Sequence, residues 1–153
     1  MLINKIEFTM DKVYTFGSKD AEHRFIVRNH FLKTTPHFKG LVKKEGFEVI
    51  IEITYTKASF DIDNVPKVII DSFSGSQIQR DLEDLKTFRE GGVLSDAKER
   101  AYKVISNMED LYKKEQYESL AIYEEDTVGF VSNLSCRASA SIDDITTIKV
   151  TIQ

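Results

Sequence analysis

Phe47-Glu48-Val49-Ile50-Ile51-Glu52-Ile53-Thr54-Tyr55-Thr56-Lys57 decides the fold. The stretch is dense in β-branched and aromatic residues, which suit a pleated, half-buried surface. Phe47, Val49, Ile51, Ile53 and Tyr55 fall at every second position, so they share one face of a strand. A strand with one apolar face needs a covering layer, and two flanking segments supply it. Ala21 to Lys33 sets Phe25, Ile26, Val27, Phe31 and Leu32 at near-helical intervals, with Asp20 placed to cap the helix. Pro66 to Phe73 predicts a short helix. Pro66 suits a first turn, Lys67 and Asp71 stand one turn apart, and Val65, Val68, Ile69 and Phe73 can pack on the sheet.

Further strands are expected at Leu2 to Thr9, Leu120 to Tyr123, Thr127 to Ala140 and Thr146 to Gln153, with Asp143-Asp144 at a turn between the last two. The stretch from Gly75 to Ser119 differs in character. Gln77 to Arg89 carries Ile78, Leu82, Leu85 and Phe88 on one helical stripe, and Gly91-Gly92 ends it. Ser95 then caps a longer helix, with Ala97, Ala101, Val104, Met108 and Leu111 at alternating steps of four and three. This hairpin either packs on the core or forms a dimer interface. The expected fold is α+β: a single domain over 1–153 with a mixed four- to five-stranded sheet, one or two packed helices and an inserted helical hairpin at about 75–119.

Bulk properties narrow the function. A chain of 153 residues can bury a real core in one domain. Cys136 is the only cysteine, so an internal disulfide is excluded and a reducing, cytoplasmic setting is the default. No apolar run is long enough for a membrane span, and Met1 to Lys5 lacks a signal peptide's apolar region. The net charge of −4 argues against a general nucleic-acid binder. Its distribution says more. Lys19, Arg24, Arg28, Lys33, Lys39, Lys43 and Lys44 face only Asp20 and Glu22 across that segment. The acid gathers elsewhere, notably at Glu118, Glu124, Glu125 and Asp126. Such segregation either suits an enzyme acting on a polyanion or reflects a solvated, charge-rich helix face.

The segment most charged with chemistry follows the first strong strand: Ser59-Phe60-Asp61-Ile62-Asp63-Asn64-Val65-Pro66-Lys67. In extended chain, residues i and i+2 point the same way. Asp61 and Asp63 can thus face one small volume, and a hard divalent cation such as Mg²⁺ is bound by one or two carboxylates with waters and phosphate oxygens. Asp and Asn are equally at home as helix caps, and in that reading Asp63 or Asn64 is only a cap and Asp61 only a loop residue. Spacing alone leaves both readings open. The triplet Glu124-Glu125-Asp126, at the end of a strand-like run, could supply the remaining carboxylates if that run lies beside Lys57.

The stretch Asp61-Ile62-Asp63-Asn64-Val65-Pro66-Lys67 through Asp71-Ser72-Phe73 resembles the RusA-type Holliday junction resolvases of prophages. That family carries D-x-D-N-apolar-x-K leading into a helix, then an apolar-aromatic pair and two adjacent acids. Ile122-Tyr123-Glu124-Glu125-Asp126 looks like the second element, and Val128 to Ile152 like the family's final β-hairpin. The resemblance implies a Mg²⁺-dependent endonuclease, with Mn²⁺ as a substitute, working as a homodimer on branched DNA. By that resemblance Asp61, Asp63 and one downstream acid bind the metal, and Lys67 assists catalysis. Anchoring on Ile122-Tyr123 makes that acid Asp126; anchoring on Val128 makes it Glu125. The chain departs from the family in lacking a Pro-rich opening, in reducing the basic run before Asp61 to Lys57, and in placing Gly75 to Ser119 between the two acidic elements.

The leading expectation is therefore a structure-selective DNA endonuclease, with catalysis by Asp61, Asp63, Lys67 and Asp126. DNA contacts are expected from Lys19, Arg24, Arg28, Lys33, Lys39, Lys43, Lys44 and Lys57. The competing expectation is a non-catalytic phage or mobile-element protein that uses the helical hairpin for assembly or partner binding. His23, His30 and His37 recur every seven residues, but Pro36 interrupts any common helix. Cys136 and the nearby serines carry no nucleophile signature.

Overall fold

The computed structural model describes residues 2–108, 113–125 and 129–153. The fold is α+β. In chain order the elements are β1 (Ile6–Met10), α1 (Asp20–Thr34), β2 (Phe47–Tyr55), a 3₁₀ turn (Ile62–Asn64), α2 (Val65–Ser72), α3 (Gly75–Arg89), α4 (Asp96–Ser106), α5 (Lys114–Glu118), β3 (Val131–Ala140) and β4 (Thr147–Ile152). One mixed sheet has the order β1-β4-β2-β3. β4 runs antiparallel to both β1 and β2, whereas β3 runs parallel to β2.

The period-two pattern of β2 sets which face is covered. Phe47, Val49, Ile51 and Ile53 are buried. Through the register Val49↔Ile152 and Ile51↔Val150, and onward Ile152↔Ile6 and Val150↔Phe8, the apolar rows of β4 and β1 continue that face. Phe31 of α1 and Phe73, just after α2, close over Phe8, with ring centroids 5.3–5.9 Å apart. The opposite face carries Glu7, Lys149 and Glu52 to solvent. There Lys149 lies 3.6 Å from Glu7.

Several expectations change. The last two strands do not form a hairpin, because β2 lies between them. Sequence adjacency favours a hairpin, but β4 is apolar enough to take a central place, and five of its six residues are matched to β1 while all six are matched to β2. Leu120 to Tyr123 is not a strand; Tyr123 makes a single bridge to Ser74. Asp20 is the first helical residue rather than the cap. Its carboxylate accepts from the Ala21 N–H and pairs with Arg24 one turn on. Ser95 does cap α4, accepting from the Lys98 N–H at 3.3 Å.

The segment after Gly75 is built into the core. Ile78 and Leu85 of α3, Ala101, Tyr102 and Ile105 of α4, and Tyr117 of α5 belong to the same buried cluster as the sheet face. The buried face of α4 is only partly the expected one: Ala101 is buried and Met108 packs on the core, but Ala97 and Val104 are exposed while Tyr102 and Ile105 are buried. Leu111 lies outside the described residues. The deepest link is polar. Arg24 donates from Nε and Nη2 to Asp81, at 2.8 Å each, and Arg28 donates from Nη1 to the same carboxylate at 2.8 Å. Arg28 also donates to the carbonyls of Ser72 and Asp71, which closes the C-terminal end of α2.

Candidate functional site

β1 and β2 run in the same direction, since each is antiparallel to β4. Their C-terminal ends therefore bring residues 11–15 and 55–61 to one end of the sheet. A cleft of about 440 Å³ opens there, lined among others by Asp11, Lys12, Thr15, Lys57, Ser59, Asp61 and Asn64. The loop after β1 is tied to the motif by the Phe16 N–H, which donates to the Asn64 carbonyl at 2.9 Å. The His23 ring and the Thr15 carbonyl lie within hydrogen-bond distance at 2.9 Å, fixing the same loop from α1.

Asp61 caps the 3₁₀ turn: its carboxylate accepts from the Asp63 N–H at 3.1 Å. The cap and metal readings are therefore compatible, because one bond leaves most of the carboxylate's accepting capacity available. Asp61 and Asp63 are both exposed. Lys67, on the first turn of α2, lies 3.2 Å from Asp71, as the i, i+4 spacing predicts. Its ammonium also stands 6.0 Å from the Phe16 ring centroid. Asp71 is buried, so it holds the ammonium beside the loop that lines the cleft.

The second acidic element lies elsewhere. The Gly75 N–H donates to the Tyr123 carbonyl at 2.7 Å, and the Ser76 N–H donates to the Glu124 carbonyl at 2.9 Å. Tyr123 also packs beside Phe47, the first residue of β2, with ring centroids 6.0 Å apart. Glu124 and the adjacent Glu125 thus sit at the start of β2, whereas Asp61 follows its end. Nine strand residues separate those ends, roughly 30 Å of extended chain. Glu125 does not join Asp61 and Asp63 within one chain. The expected convergence required the run before Glu124 to lie beside Lys57, and the parallel pairing of β3 with β2 places it at the opposite end. Asp126 lies outside the described residues. Among the described residues, no three His, Cys, Asp or Glu side chains are arranged to hold a metal ion.

The basic set is divided as well. Arg24 and Arg28 are buried, so they are corrected from surface DNA contacts to structural cations. Their helix buries one face against α2 and α4, and Asp81, reaching in from α3, neutralises the guanidinium groups that this burial encloses. Burial pulls the Arg24 pKa down, but Asp81 more than offsets it and the net shift is upward. Burial raises the Asp81 carboxyl and the two arginines overcome that, leaving it below its usual value. Lys19, Lys33, Lys39, Lys43, Lys44 and Lys57 are exposed. Lys57 lines the cleft, and Lys19 follows the loop anchored to Asn64. Lys43 and Lys44 precede β2, and Lys39 adjoins Gly40, which bonds Ile3, so these three lie at the far end.

Sequence reasoning missed Asp11, Lys12 and Asp81. Asp81 sits one position before Leu82 of the apolar stripe, and only the two arginines that face it across α1 give it meaning. Asp11 and Lys12 reach the cleft through the shared direction of β1 and β2. Comparison with protein-family models, with curated proteins and with solved structures finds no match to this chain. No helix among the described residues is long and apolar enough to cross a membrane.

Proposed function

We propose that this chain is a Mg²⁺-dependent endonuclease acting on branched DNA in the cytoplasm, the activity implied by the resemblance of Asp61 to Phe73 to the RusA-type resolvases. The observation that carries the reading is the placement of that motif. Asp61 lines a polar cleft together with Lys12 and Lys57, and Lys67 is held nearby. Carboxylates next to exposed lysines suit a phosphate group and a cation bound together, because the ammonium groups attract the phosphate that the carboxylates alone would repel.

Asp61 and Asp63 would hold the ion. Two carboxylates fit the hydrated, open coordination that Mg²⁺ keeps, not a closed protein cage. The bound ion would supply charge neutralisation and a more acidic water for hydrolysis. Lys12 and Lys57 bind and orient the phosphodiester, and Lys67 offers a cation to the charge that develops on it. Lys19 extends the basic margin of this end of the sheet.

The test is cleavage of four-way junction, flap and linear duplex DNA with Mg²⁺ or Mn²⁺, by the wild type and by Asp63→Asn. Junction cleavage by the wild type that disappears in the variant is expected. Cleavage that survives Asp63→Asn refutes the assignment. The competing reading, a non-catalytic partner-binding protein, draws on one observation: although Asp11 lines the same cleft as Asp61, no three acids among the described residues are arranged to hold a metal ion. It predicts no cleavage of any substrate and no rise in melting temperature with Mg²⁺.

A further inference from the structure

The end of the sheet that holds Asp61 gathers aromatic rings beside its ammonium groups, and the catalytic reading gives those rings no role. The Phe16 backbone is pinned, since its N–H donates to the Asn64 carbonyl at 2.9 Å, yet its ring is 41% exposed. Lys67 Nζ stands over that ring, 6.0 Å from the centroid. Tyr14, two residues earlier, is half-buried, and Lys12 Nζ stands 5.7 Å from its ring centroid. His23 backs the Tyr14 ring, with centroids 5.2 Å apart. On the β2 side of the cleft, Tyr55 and Phe60 meet edge to face at 5.7 Å and are also only half-buried. Both line the cleft with Lys12, Lys57 and Asp61.

Single exposed apolar side chains are ordinary. This set differs because rings and cations are paired where a ligand can reach both. The other cation–ring contacts among the described residues are Arg28 over Phe25 and Lys44 over Phe47, and those two rings are buried. A reachable ring beside an ammonium group suits a nucleotide whose base is unpaired. The base lies against the ring and a phosphate meets the cation. A base inside a duplex has both faces covered by its neighbours and cannot use the ring. An anionic lipid surface fits less well. Asp11 and Asp61 line the same cleft as the lysines, and a uniformly negative plane would meet those acids at once. A strand presents its phosphates singly and leaves the carboxylates to a cation.

We propose that this end of the sheet binds unpaired nucleotides, with Phe16 as the platform on which a base stacks. The inference rests on the nuclease reading and narrows its substrate: among branched DNAs the chain selects those with an unpaired strand, such as a flap, over a fully paired four-way junction. The lysines hold the backbone of any strand, because every strand carries the same phosphates. The rings add the requirement for a base that is free to stack. A nucleotide stacked on Phe16 places its phosphate beside Lys67, the cation assigned to the developing charge. Tyr14 with Lys12 offers the same pairing to a neighbouring nucleotide.

Fluorescence anisotropy of the whole chain in EDTA tests binding apart from cleavage. The probes are a labelled oligothymidine, an abasic strand of the same length and a blunt duplex, all at one salt concentration. The oligothymidine should bind about tenfold tighter than either of the others. Phe16→Ala should weaken oligothymidine binding by about fivefold or more and leave the abasic strand unchanged, since it removes a ring and no charge. Phe16→Tyr keeps the ring and should bind as the wild type does. In Mg²⁺, the ratio of flap to four-way-junction cleavage should fall in Phe16→Ala. An abasic strand or duplex that binds the wild type as tightly as oligothymidine overturns the proposal, and that comparison decides even where Phe16→Ala does not fold. So does oligothymidine binding that a folded Phe16→Ala leaves intact, or binding to phosphatidylserine vesicles with none to oligothymidine. A wild type that prefers oligothymidine but cleaves no DNA refutes the nuclease reading and leaves the stacking site standing.

Discussion

Asp81 and the Asp61–Asp63 pair are carboxylates in opposite situations. Asp81 is 1% exposed and receives bonds from Arg24, Arg28, Gln77 and Tyr102. Asp61 and Asp63 face water, and the described bond between them is one backbone cap. A buried carboxylate can only be kept if its surroundings satisfy it, so its partners are fixed and it is spent on structure. An exposed carboxylate is held by little, and water leaves it available to a ligand. Burial thus separates charge that builds the fold from charge that can act.

The comparison breaks most visibly at Asp81. Asp81→Ala should lower the unfolding free energy by about 3–5 kcal/mol, because it leaves two buried guanidinium groups without their counter-charge. Urea denaturation followed by circular dichroism measures this, and a loss of under about 1 kcal/mol would contradict the structural role. Acid probes the same group. Its carboxyl lies below the usual carboxylate value in the folded chain. As pH falls through the ordinary range near 4, the unfolded chain takes up the proton first, so this stability is present above that range and is lost below it. The gap in stability between wild type and Asp81→Asn should therefore be full at neutral pH and shrink as pH drops below about 4.

Smaller effects sharpen the contrast. Ser95→Ala removes the cap of α4 and should cost about 1 kcal/mol. Asp63→Asn should leave the urea midpoint near that of the wild type while abolishing cleavage and the Mg²⁺-dependent rise in melting temperature. A large shift in the midpoint would place Asp63 with Asp81 as a structural acid. The smallest expected effect is that of Glu125→Gln. Lying at the far end of β2, Glu125 should leave the melting response to Mg²⁺ unchanged, and a lost response would require an acid from a second copy at the Asp61 cleft.

Much of the fold was legible because its strongest signals are local. The alternation in Phe47 to Tyr55, the Pro66 start and the Lys67–Asp71 spacing each specify backbone conformation within a few residues. What misled was pairing. β3 and β4 follow one another closely, as hairpin strands do, yet β2 separates them. Adjacency in sequence carries no information about a strand from the first third of the chain that competes for the same edge. The site followed the same rule. Lys67 as a helix-borne cation was readable from spacing, but the cap is Asp61 and not the expected Asp63 or Asn64, whose side chain makes no cap bond at the start of α2. The basic run from Lys19 to Lys44 was readable as charge but not as surface, since α1 turns Arg24 and Arg28 inward.

The sequence by itself determined the α+β class, the covered face of β2 and the motif that opens at Asp61, because each depends on short-range periodicity and turn chemistry. Only the tertiary structure decided which charges are buried, which end of the sheet holds Glu124 and Glu125, and which strands take the sheet's edges. Those outcomes depend on strand order and helix docking, where side chains distant in sequence compete to remove the same apolar surface from water.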